Sequence, residues 1–312
     1  PLIILTGPTA VGKTSLSIAL AKAVNGEIIS ADSMQVYRHM DIGSAKIRPE
    51  EMQGVPHHLV DCLEPDEEFN VVRFQQMAKE AMKGIYDRGR IPVLVGGTGF
   101  YIQAVTGDID FTVHGEDTTY RQMLEEKAKT EGAQALHEML AAVDPASAAA
   151  IHANNVKRVI RALEYYRQTG KPISQHNEEQ RQKESPYNLA YFVLNDERTR
   201  LYERIDARID QMLAEGLIDE VKTLKEMGYH KGMVSMQGLG YKEILSYLDG
   251  TWPLEEAIYV LKRDTRHFAK RQITWFKRER QVEWFDKQDF GYDAQGILEA
   301  MLASLREKKI IR

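Results

Sequence analysis

The sequence predicts an α/β fold, with a P-loop NTP-hydrolase-like parallel sheet, an all-helical insertion and a helical, basic C-terminal region. Three observations predict it. A buried strand runs into a phosphate-loop motif, and strands then alternate with helices as far as residue 107. From there the pattern is wholly helical until a strand returns near residue 189. We therefore divide the chain into a core of residues 1–107 plus 188–312 and an inserted helical domain of residues 108–187.

The phosphate-loop motif lies between an apolar strand, Leu2–Leu5, and an apolar-periodic helix. That strand–loop–helix context is the one the P-loop pattern requires, and the pattern is typical of ATP-binding and other nucleotide-binding proteins. Backbone N–H groups at a helix N-terminus attract anions, Lys13 adds a positive charge, and the Thr14 hydroxyl is a ligand for Mg²⁺. The residues predicted to bind phosphate are Gly7, Pro8, Thr9, Ala10, Val11, Gly12, Lys13 and Thr14.

Two further predicted strands end in segments suited to a ligand. Glu27–Ser30 is followed by Asp32, Ser33 and Gln35, and the strand from Ile91 runs into the glycine-rich turn Gly96–Gly99. Because ligands of open parallel sheets collect beyond the carboxyl ends of the strands, these segments are predicted to lie beside the bound phosphate. For Asp32, a solvated turn or helix cap explains the residue equally well.

The helix that precedes the strand from Ile91 shows apolar spacing from Phe74 to Ile85, with Asn70 as its N-cap. Before it, His58–Asp61 has the pattern of a strand, whereas Pro56–His58 is predicted to be a loop. Adjacent residues in a strand point to opposite faces, so we expect the two histidines not to share one metal, and a structural role is predicted for both.

The insertion is predicted to contain four helices, which end in a polar segment. They are Tyr120–Lys129, Ala133–Ala142, a stretch after Asp144-Pro145, and Val156–Gln168 closed by Gly170. The polar run Gln175–Ser185 has no apolar period and predicts a mobile connection. A solvated helix face explains Lys157, Arg158 and Arg161 about as well as a phosphate contact does.

After a returning strand, Leu189–Leu194, a helix carries Arg204 and Arg208 four residues apart on one face. An arginine near the end of a strand could neutralise a leaving phosphate, because its charge is permanent and its planar fork fits phosphate oxygens. Surface pairing with acidic neighbours such as Glu203 is the alternative. The remaining predicted elements are helices at Leu217–Met227, after Met236–Glu243, and from Leu254 to about Arg280, a strand at Val282–Phe285 and a closing helix at Ile297–Leu305.

The distribution of charge says more about partners than its sum does. The 312 residues include 41 basic and 46 acidic ones, a net charge of −5, which argues weakly against a nucleic-acid partner. However, the segment Lys262–Arg280 carries eight basic residues against Asp264 and Glu279, interleaved with aromatic side chains. That composition suits RNA phosphates and base stacking.

Composition also constrains the compartment in which the protein works. No apolar run approaches the ~18 residues of a membrane helix, and the chain begins with a core strand, so neither a membrane partner nor a signal or transit peptide is expected. The single cysteine, Cys62, excludes an internal disulfide and a multi-cysteine zinc site, which fits a reducing cytoplasm. Nothing in the sequence demands a dimer, and a monomer is expected.

Eight motifs in this order and spacing resemble the bacterial tRNA dimethylallyltransferases, also called tRNA isopentenyltransferases. The resemblance covers essentially the whole chain, and the combination is more specific than any one motif. The motifs are Gly7–Thr14, Ser30–Tyr37, Asp41–Lys46, His57–Asp61, Gly96–Tyr101, Arg158–Glu164, Gln237–Glu243 and Lys270–Lys277.

The resemblance implies transfer of a dimethylallyl group from dimethylallyl diphosphate to N6 of the adenosine on the 3′ side of the tRNA anticodon. It implies that Asp32 is the general base, that Thr14 holds the diphosphate and Mg²⁺, and that Thr98 touches the substrate. Arg208 is our choice for the diphosphate arginine, with Arg204 as its rival. The residues implied to contact tRNA are Asp32, Ser33, Met34, Gln35, Arg121, Lys157, Arg158, Val159, Ile160, Arg161, Gln237, Gly240, Tyr241, Lys270, Arg271, Gln272 and Lys277.

One departure from the family pattern affects Arg121: the preceding segment, Val113–Thr119, lacks the proline-containing start associated with that position. Three other functions share parts of the pattern. A small-molecule kinase shares the loop and fold, an isopentenyltransferase acting on free adenine nucleotides shares the chemistry, and a nucleotide-gated RNA-binding switch shares the basic helix. The kinase has no evident use for that cationic helix, and the free-nucleotide enzyme has none for the insertion.

Overall fold

A computed structural model describes residues 1–111 and 118–312 of the chain. Most of the segment Val113–Thr119 therefore lies outside the described residues. The chain divides into a core unit, residues 1–106 and 186–312, and an insertion unit, residues 107–185. These boundaries lie one and two residues from those predicted from the sequence.

Six parallel strands form the sheet of the core unit, in the order β3-β2-β4-β1-β5-β6. The strands are β1 (Leu2–Thr6), β2 (Gly26–Ala31), β3 (His57–His58), β4 (Ile91–Gly96), β5 (Leu189–Asn195) and β6 (Val282–Asp286). Strand β1 lies between β4 and β5 and is buried along its whole length, as its unbroken apolar sequence predicts for a parallel sheet covered on both faces. The predicted α/β parallel-sheet fold is confirmed.

Helices occupy most of the rest of the described chain. They are α1 (Lys13–Ala23), α2 (Val71–Asp87), α3 (Gly99–Thr106), α4 (Thr118–Thr130), α5 (Ala133–Val143), α6 (Pro145–Ala150), α7 (Val156–Thr169), α8 (Ile173–Gln182), α9 (Arg198–Ala214), α10 (Leu217–Glu226), α11 (Tyr241–Leu248), α12 (Leu254–Phe276) and α13 (Ala294–Glu307). Asn70 caps α2 as predicted, since its side chain accepts a hydrogen bond from the Arg73 N–H. None of the described helices is long and apolar enough to cross a bilayer.

Strand β3 differs from its prediction in position and length. It covers His57 and His58, whereas the sequence analysis placed a strand at His58–Asp61 and a loop at Pro56–His58. Leu59 and Asp61 have φ angles of 62° and 57°, which an extended strand does not accommodate, so the strand ends at His58. Both histidines have structural partners: His57 Nδ1 lies 2.8 Å from the Val55 carbonyl, and His58 Nε2 lies 2.7 Å from Glu27 Oε2.

The insertion unit consists of α4 to α8 around its own hydrophobic cluster, which includes Leu124, Leu140 and Val159. The prediction of a mobile connection at Gln175–Ser185 is wrong over most of its length, because α8 covers it as far as Gln182. The first turn of α8 is fixed by Ser174, whose N–H and Oγ both donate to the buried Asp144 carboxylate. Side-chain pairs four residues apart, such as Gln175 with Glu179, support the polar helix that follows.

Candidate active site

The phosphate loop joins β1 to α1 at the carboxyl end of the sheet, and its glycines are required by geometry. Gly7 has a φ of 144°, and a Cβ there would lie 2.2 Å from the Leu194 carbonyl oxygen of β5. Gly12 is the N-cap of α1 in the left-handed conformation, with a φ of 100°. The loop therefore packs tightly on β5 and then opens into the first turn of α1, whose N–H groups have no partner within the helix.

Lys13 lies folded over its own loop. Its Nζ donates to the carbonyl oxygens of Gly7, at 2.9 Å, and Pro8, at 2.8 Å. Burial and the neighbouring Arg208 charge lower the pKa of Lys13 to about 7, against the opposing effect of Asp32. The ammonium group is thus placed over the anion cradle with carbonyl partners that an incoming phosphate can replace.

Two cations from other elements hold the tip of the loop from outside. Arg204 Nε donates to the Ala10 carbonyl at 2.8 Å, and Lys287 Nζ donates to the Val11 carbonyl at 3.2 Å. Arg204 is exposed, whereas Arg208, one turn further along α9, is partly buried. Burial lowers its pKa, and the Asp32 carboxylate opposes that shift. The charge of Arg208 therefore interacts with those of Lys13 and Asp32, whereas Arg204 is hydrogen-bonded to the backbone of the loop.

Lys287 is a residue that the sequence analysis missed. Besides the Val11 carbonyl, its Nζ lies 3.7 Å from Oδ2 of Asp196, whose side chain is completely buried. Burial is the main cause that lowers the pKa of Lys287. A signal for it was present: Lys287 directly follows β6, and ligand-binding residues of such sheets lie just beyond the carboxyl ends of strands.

Asp32 directly follows β2, and its carboxylate closes a turn, one of the two roles that the sequence left open. Its Oδ1 accepts hydrogen bonds from the N–H groups of Met34, at 2.8 Å, and Gln35, at 3.2 Å, in a turn. Within the described part of the chain, Oδ2 has no hydrogen bond. The turn thus fixes one carboxylate oxygen, and the other stays open to a further hydrogen bond.

The segment after this turn is anchored by groups far away in sequence. The Gln35 amide accepts from Ser30 Oγ and donates to the Ala45 carbonyl, both at 3.2 Å. Glu220 of α10 accepts the N–H groups of Asp41, Ile42 and Gly43, and Tyr241 Oη donates to it at 2.8 Å. No local sequence signal identifies Glu220, because the backbone groups that it accepts from lie about 180 residues away.

The second glycine-rich turn follows β4 and packs beneath α12. Thr98 is partly buried, and its N–H donates to the Ala31 carbonyl at 3.3 Å, so Thr98 adjoins the end of β2 just before Asp32. Gln272 of α12 reaches both loops: it accepts from the Thr9 N–H at 2.9 Å and donates to the Gly97 carbonyl at 3.0 Å. Asp32, Thr98 and the phosphate loop are therefore gathered at one end of the sheet.

The outer face of α12 is basic. A concavity of about 420 Å³ lies on it, and its lining residues are His267, Lys270, Arg271, Thr274, Trp275 and Arg278. Lys270, Arg271 and Lys277 are all exposed. The ring centroid of Trp275 lies 6.2 Å from that of Phe100, which is itself 40% exposed, so an apolar surface adjoins the cations.

Five residues that were predicted to contact tRNA are buried in this structure. Tyr241 is completely buried and bonded to Glu220, and Gln272 is 6% exposed and bonded at both ends of its amide. Val159 and Ile160 belong to the core of the insertion unit, and Gly240 is buried at the start of α11. The motifs were carried over as runs, but consecutive residues of a helix point in different directions, so a run cannot share one face.

Other predicted contacts have exposed or partly exposed side chains. Lys157, Arg158 and Arg161 are exposed on α7. Arg121 is half exposed, and its guanidinium donates to the Glu164 carboxylate at 2.8 and 3.1 Å within the insertion unit. In the core unit Ser33 and Met34 are partly buried, and Gln237 is exposed and donates to the Lys231 carbonyl.

The described part of the chain supplies few ligands for a metal ion. Among residues 1–111 and 118–312, no group of three or more His, Cys, Asp or Glu side chains is arranged to hold one. Thr14 is exposed at the start of α1, where its hydroxyl adjoins the anion cradle. The residues therefore fit a Mg²⁺ ion that takes most of its oxygen ligands from bound phosphate and water.

Two protein-family profiles match the sequence. The profile described as IPP transferase covers residues 35–279. The profile described as isopentenyl transferase covers residues 1–62. Together they include every part of the site described above except Lys287.

Two relatives match over nearly the whole chain. The chain is 66% identical over 312 residues to the tRNA dimethylallyltransferase of Lachnoclostridium phytofermentans, covering 100% of this chain and 99% of the relative. It is 54% identical over 285 residues to the tRNA dimethylallyltransferase of Carboxydothermus hydrogenoformans, covering 91% of each.

Solved structures of enzymes with the same described activity also match the chain. The full-length tRNA isopentenylpyrophosphate transferase from Bacillus halodurans matches with a TM-score of 0.74 and 49% identity, over 99% of this chain and 97% of that one. A eukaryotic dimethylallyltransferase acting on tRNA matches with a TM-score of 0.78 and 31% identity, over 91% of this chain and 73% of that one.

Proposed function

The chain belongs to the tRNA dimethylallyltransferase family, and from that premise we propose how its own residues carry out the reaction. It is a transferase that modifies tRNA with a dimethylallyl group. The acceptor is N6 of the adenosine on the 3′ side of the anticodon, and the donor is dimethylallyl diphosphate. The observation that best supports the residue assignment is that Asp32 and Arg208 lie close enough to Lys13, beside the phosphate loop, for their charges to affect its pKa.

The main chemical task is to stabilise the leaving diphosphate. The adenine amine is a poor nucleophile because its lone pair is delocalised into the ring, whereas departure of diphosphate leaves the allylic C1 as a stabilised cation. As the N6–C1 bond forms, the C1–O bond breaks and its electron pair goes to the diphosphate. The N–H groups at the start of α1, Lys13 and Arg208 are placed to stabilise that charge, and the choice of Arg208 over Arg204 follows from its place beside Asp32 and Lys13.

Asp32 is the proton acceptor. The amine nitrogen becomes positively charged as it attacks C1, and it must lose a proton to leave the neutral product. The two backbone donors on Oδ1 hold the carboxylate in place, so that Oδ2 faces the substrate. Thr98, next to the end of β2, is placed to contact the same substrate.

Mg²⁺ is the expected ion, with Thr14 as the protein ligand. When bound, it would help to neutralise the charge on the diphosphate oxygens. The protein groups named here bind the diphosphate, orient the amine and accept its proton.

The basic face of α12 is the proposed binding surface for the tRNA anticodon stem-loop. Lys270, Arg271 and Lys277 are exposed there and suit phosphates, and the exposed cations of α7 are proposed to serve the same purpose. The target base must leave its stack to reach an enclosed site, which costs a few kcal/mol, and these backbone contacts offset that cost. Cytoplasmic location and a monomeric state remain predictions.

The decisive experiment incubates the protein with labelled dimethylallyl diphosphate and unmodified tRNA, followed by nucleoside analysis. We expect one labelled dimethylallyl-adenosine per tRNA. Asp32→Ala should lower the rate of transfer by at least about 10²-fold while tRNA binding largely survives, because Asp32 accepts the proton and does not hold the tRNA backbone. Retained transfer in that variant would exclude Asp32 as the base.

The same assay separates the competing functions. Comparison of AMP with an anticodon stem-loop as acceptor tests the free-nucleotide alternative, and we expect transfer to the stem-loop alone. Productive ATP turnover without binding of dimethylallyl diphosphate would favour the kinase and contradict this proposal.

A further inference from the structure

Gln272 lies inside the molecule although its sequence neighbours lie outside. Lys270 and Arg271 are exposed on the basic face of α12, whereas Gln272 is 6% exposed and turned toward the sheet. Its Oε1 accepts from the Thr9 N–H of the phosphate loop at 2.9 Å, and its Nε2 donates to the Gly97 carbonyl at 3.0 Å. One amide therefore joins the loop after β1 to the loop after β4.

The second loop is shaped to receive α12. A Cβ at Gly97 would lie 2.2 Å from Gln272 Nε2, and a Cβ at Gly99 would lie 2.2 Å from the Trp275 ring. The Trp275 ring leaves no room for a side chain at Gly99, and a side chain at Gly97 would displace the Gln272 amide, so α12 packs closely on the backbone around Thr98. The distance between α12 and this loop is thus set by the Gln272 amide and the Trp275 ring.

An amide is the group that this position requires. Thr9 offers a donor and Gly97 offers an acceptor, and Gln presents an acceptor and a donor on one planar group. The Gly97 carbonyl is buried, so loss of its bond leaves a polar backbone group without water or a partner, which is unfavourable; the Thr9 N–H is only partly buried. A methionine would keep the shape and lose both bonds. A carboxylate would keep the bond to Thr9 and repel the Gly97 carbonyl.

We propose that Gln272 is a positioning residue, which sets the spacing between the phosphate loop and the Gly97–Thr98 backbone. This inference rests on the proposed function, in which the first loop holds the leaving diphosphate and Thr98 contacts the acceptor. Gln272 touches neither substrate and acts through the Thr9 and Gly97 backbone groups. Its loss therefore changes the alignment of the two substrates and leaves the basic outer face of α12 intact.

The main test compares Gln272→Met with the wild-type protein in steady-state transfer to an anticodon stem-loop. We expect kcat to fall about 10- to 100-fold, as for a misplacement of about 1 Å, while KM for the stem-loop stays within about twofold. The inhibition constant of inorganic diphosphate should rise about three- to tenfold, because the Thr9 peptide is no longer fixed. A matched control is Gln211→Met on α9, where the exposed amide donates to Glu215, four residues away. This control should change neither kcat, nor KM, nor the inhibition constant of diphosphate.

A second variant keeps the test decisive if the first fails to fold. In Gln272→Glu, the carboxyl group regains an O–H donor for Gly97 when protonated, and burial raises its pKa. The kcat of this variant, divided by that of the wild type, should therefore rise as the pH is lowered from 8 to 6. A role limited to general packing predicts no such recovery.

Three results would overturn the inference. They are a Gln272→Met protein with kcat and diphosphate inhibition within twofold of the wild type, an effect confined to KM for the stem-loop, and a Gln272→Glu ratio that does not vary with pH. A wild-type protein without transfer activity would instead contradict the proposed function. In that case the binding of inorganic diphosphate to the variants still decides whether Gln272 positions the phosphate loop.

Discussion

At the scale of single residues, the contacts of Lys13 predict how diphosphate binding depends on pH. Its Nζ is bonded to the carbonyl oxygens of Gly7 and Pro8, and burial lowers its pKa to about 7. A bound diphosphate brings negative charge next to the amine and raises that pKa. Lys13 is charged below pH 7 and largely neutral at pH 8 before binding, so binding at pH 8 must take up a proton.

We predict that the affinity for inorganic diphosphate falls as the pH rises above about 7, by up to tenfold per pH unit. Calorimetry at pH 8 in two buffers of different ionisation enthalpy measures the protons taken up. Lys13→Arg is the control, because a guanidinium stays charged at this pH and contributes no uptake. Any change in the protonation of diphosphate itself on binding is common to both proteins. Equal proton uptake by the wild type and Lys13→Arg would therefore contradict the prediction.

At the scale of elements, α12 serves two purposes with two faces. Its inner face carries Gln272, which bonds both loops of the site, and its outer face carries Lys270 and Arg271. Two other cations of this helix are already neutralised: Lys262 pairs with Asp210, and Arg266 pairs with Asp206, both on α9. Charge alone therefore does not identify the cations that are available to RNA.

The double substitution of Lys270 and Arg271 by Ala should weaken tRNA binding uniformly across sequences and reduce its salt dependence. Each lost phosphate contact lowers the slope of log K against log salt by about one, so a decrease of about two is expected. Filter binding at several salt concentrations measures it. The matched control replaces Lys262 and Arg266, which removes the same charge from the same helix but from existing ion pairs. An unchanged slope in the first variant would show that tRNA uses a different face.

At the scale of the whole molecule, the two ends of the sheet have different tasks. The carboxyl ends of the strands carry the site, whereas the opposite end is tied together by Glu27, which is 2% exposed at the start of β2. Its carboxylate accepts from Arg88 at 2.9 and 2.7 Å and from Arg90 at 3.1 Å, and lies 2.7 Å from His58. The hydrogen bonds from Arg88 are the main cause that lowers the pKa of Glu27 to about 2.

Glu27→Gln should lower the free energy of unfolding by about 2 kcal/mol at pH 7, since it removes charged bonds to partly exposed arginines. The pKa of Glu27 is lower in the folded protein than in the unfolded chain, where it is 4.5. Its contribution is therefore complete above pH 4.5 and is lost as the pH falls toward 2.

Urea unfolding at pH 7 and pH 3 measures this change, and the difference between variant and wild type should shrink at pH 3. Asp87→Asn is the control, because it breaks the exposed pair with Lys83 and should have little effect at either pH. A Glu27→Gln protein as stable as the wild type at pH 7 would show that the network contributes nothing.

The sequence by itself determined the fold class, the phosphate loop and nearly all the elements, because these depend on local rules. The apolar run at Leu2–Leu5, the glycines around Lys13 and the Asn70 cap act over a few residues and read directly from the chain. The same holds for the placement of Asp32 after a strand. A resemblance spread over eight motifs then indicated the family, which the comparisons confirm.

Only the tertiary structure decided which way the side chains of those motifs point. Gln272 and Arg271 are neighbours in one motif, yet one bonds the two loops and the other is exposed. Helix α8 has no apolar period and is fixed by the contacts of Ser174 with Asp144, and Glu220 holds a loop about 180 residues away. A polar side chain carries no local sign of its partner, because its hydrogen bonds are set by whichever backbone groups the fold brings to it.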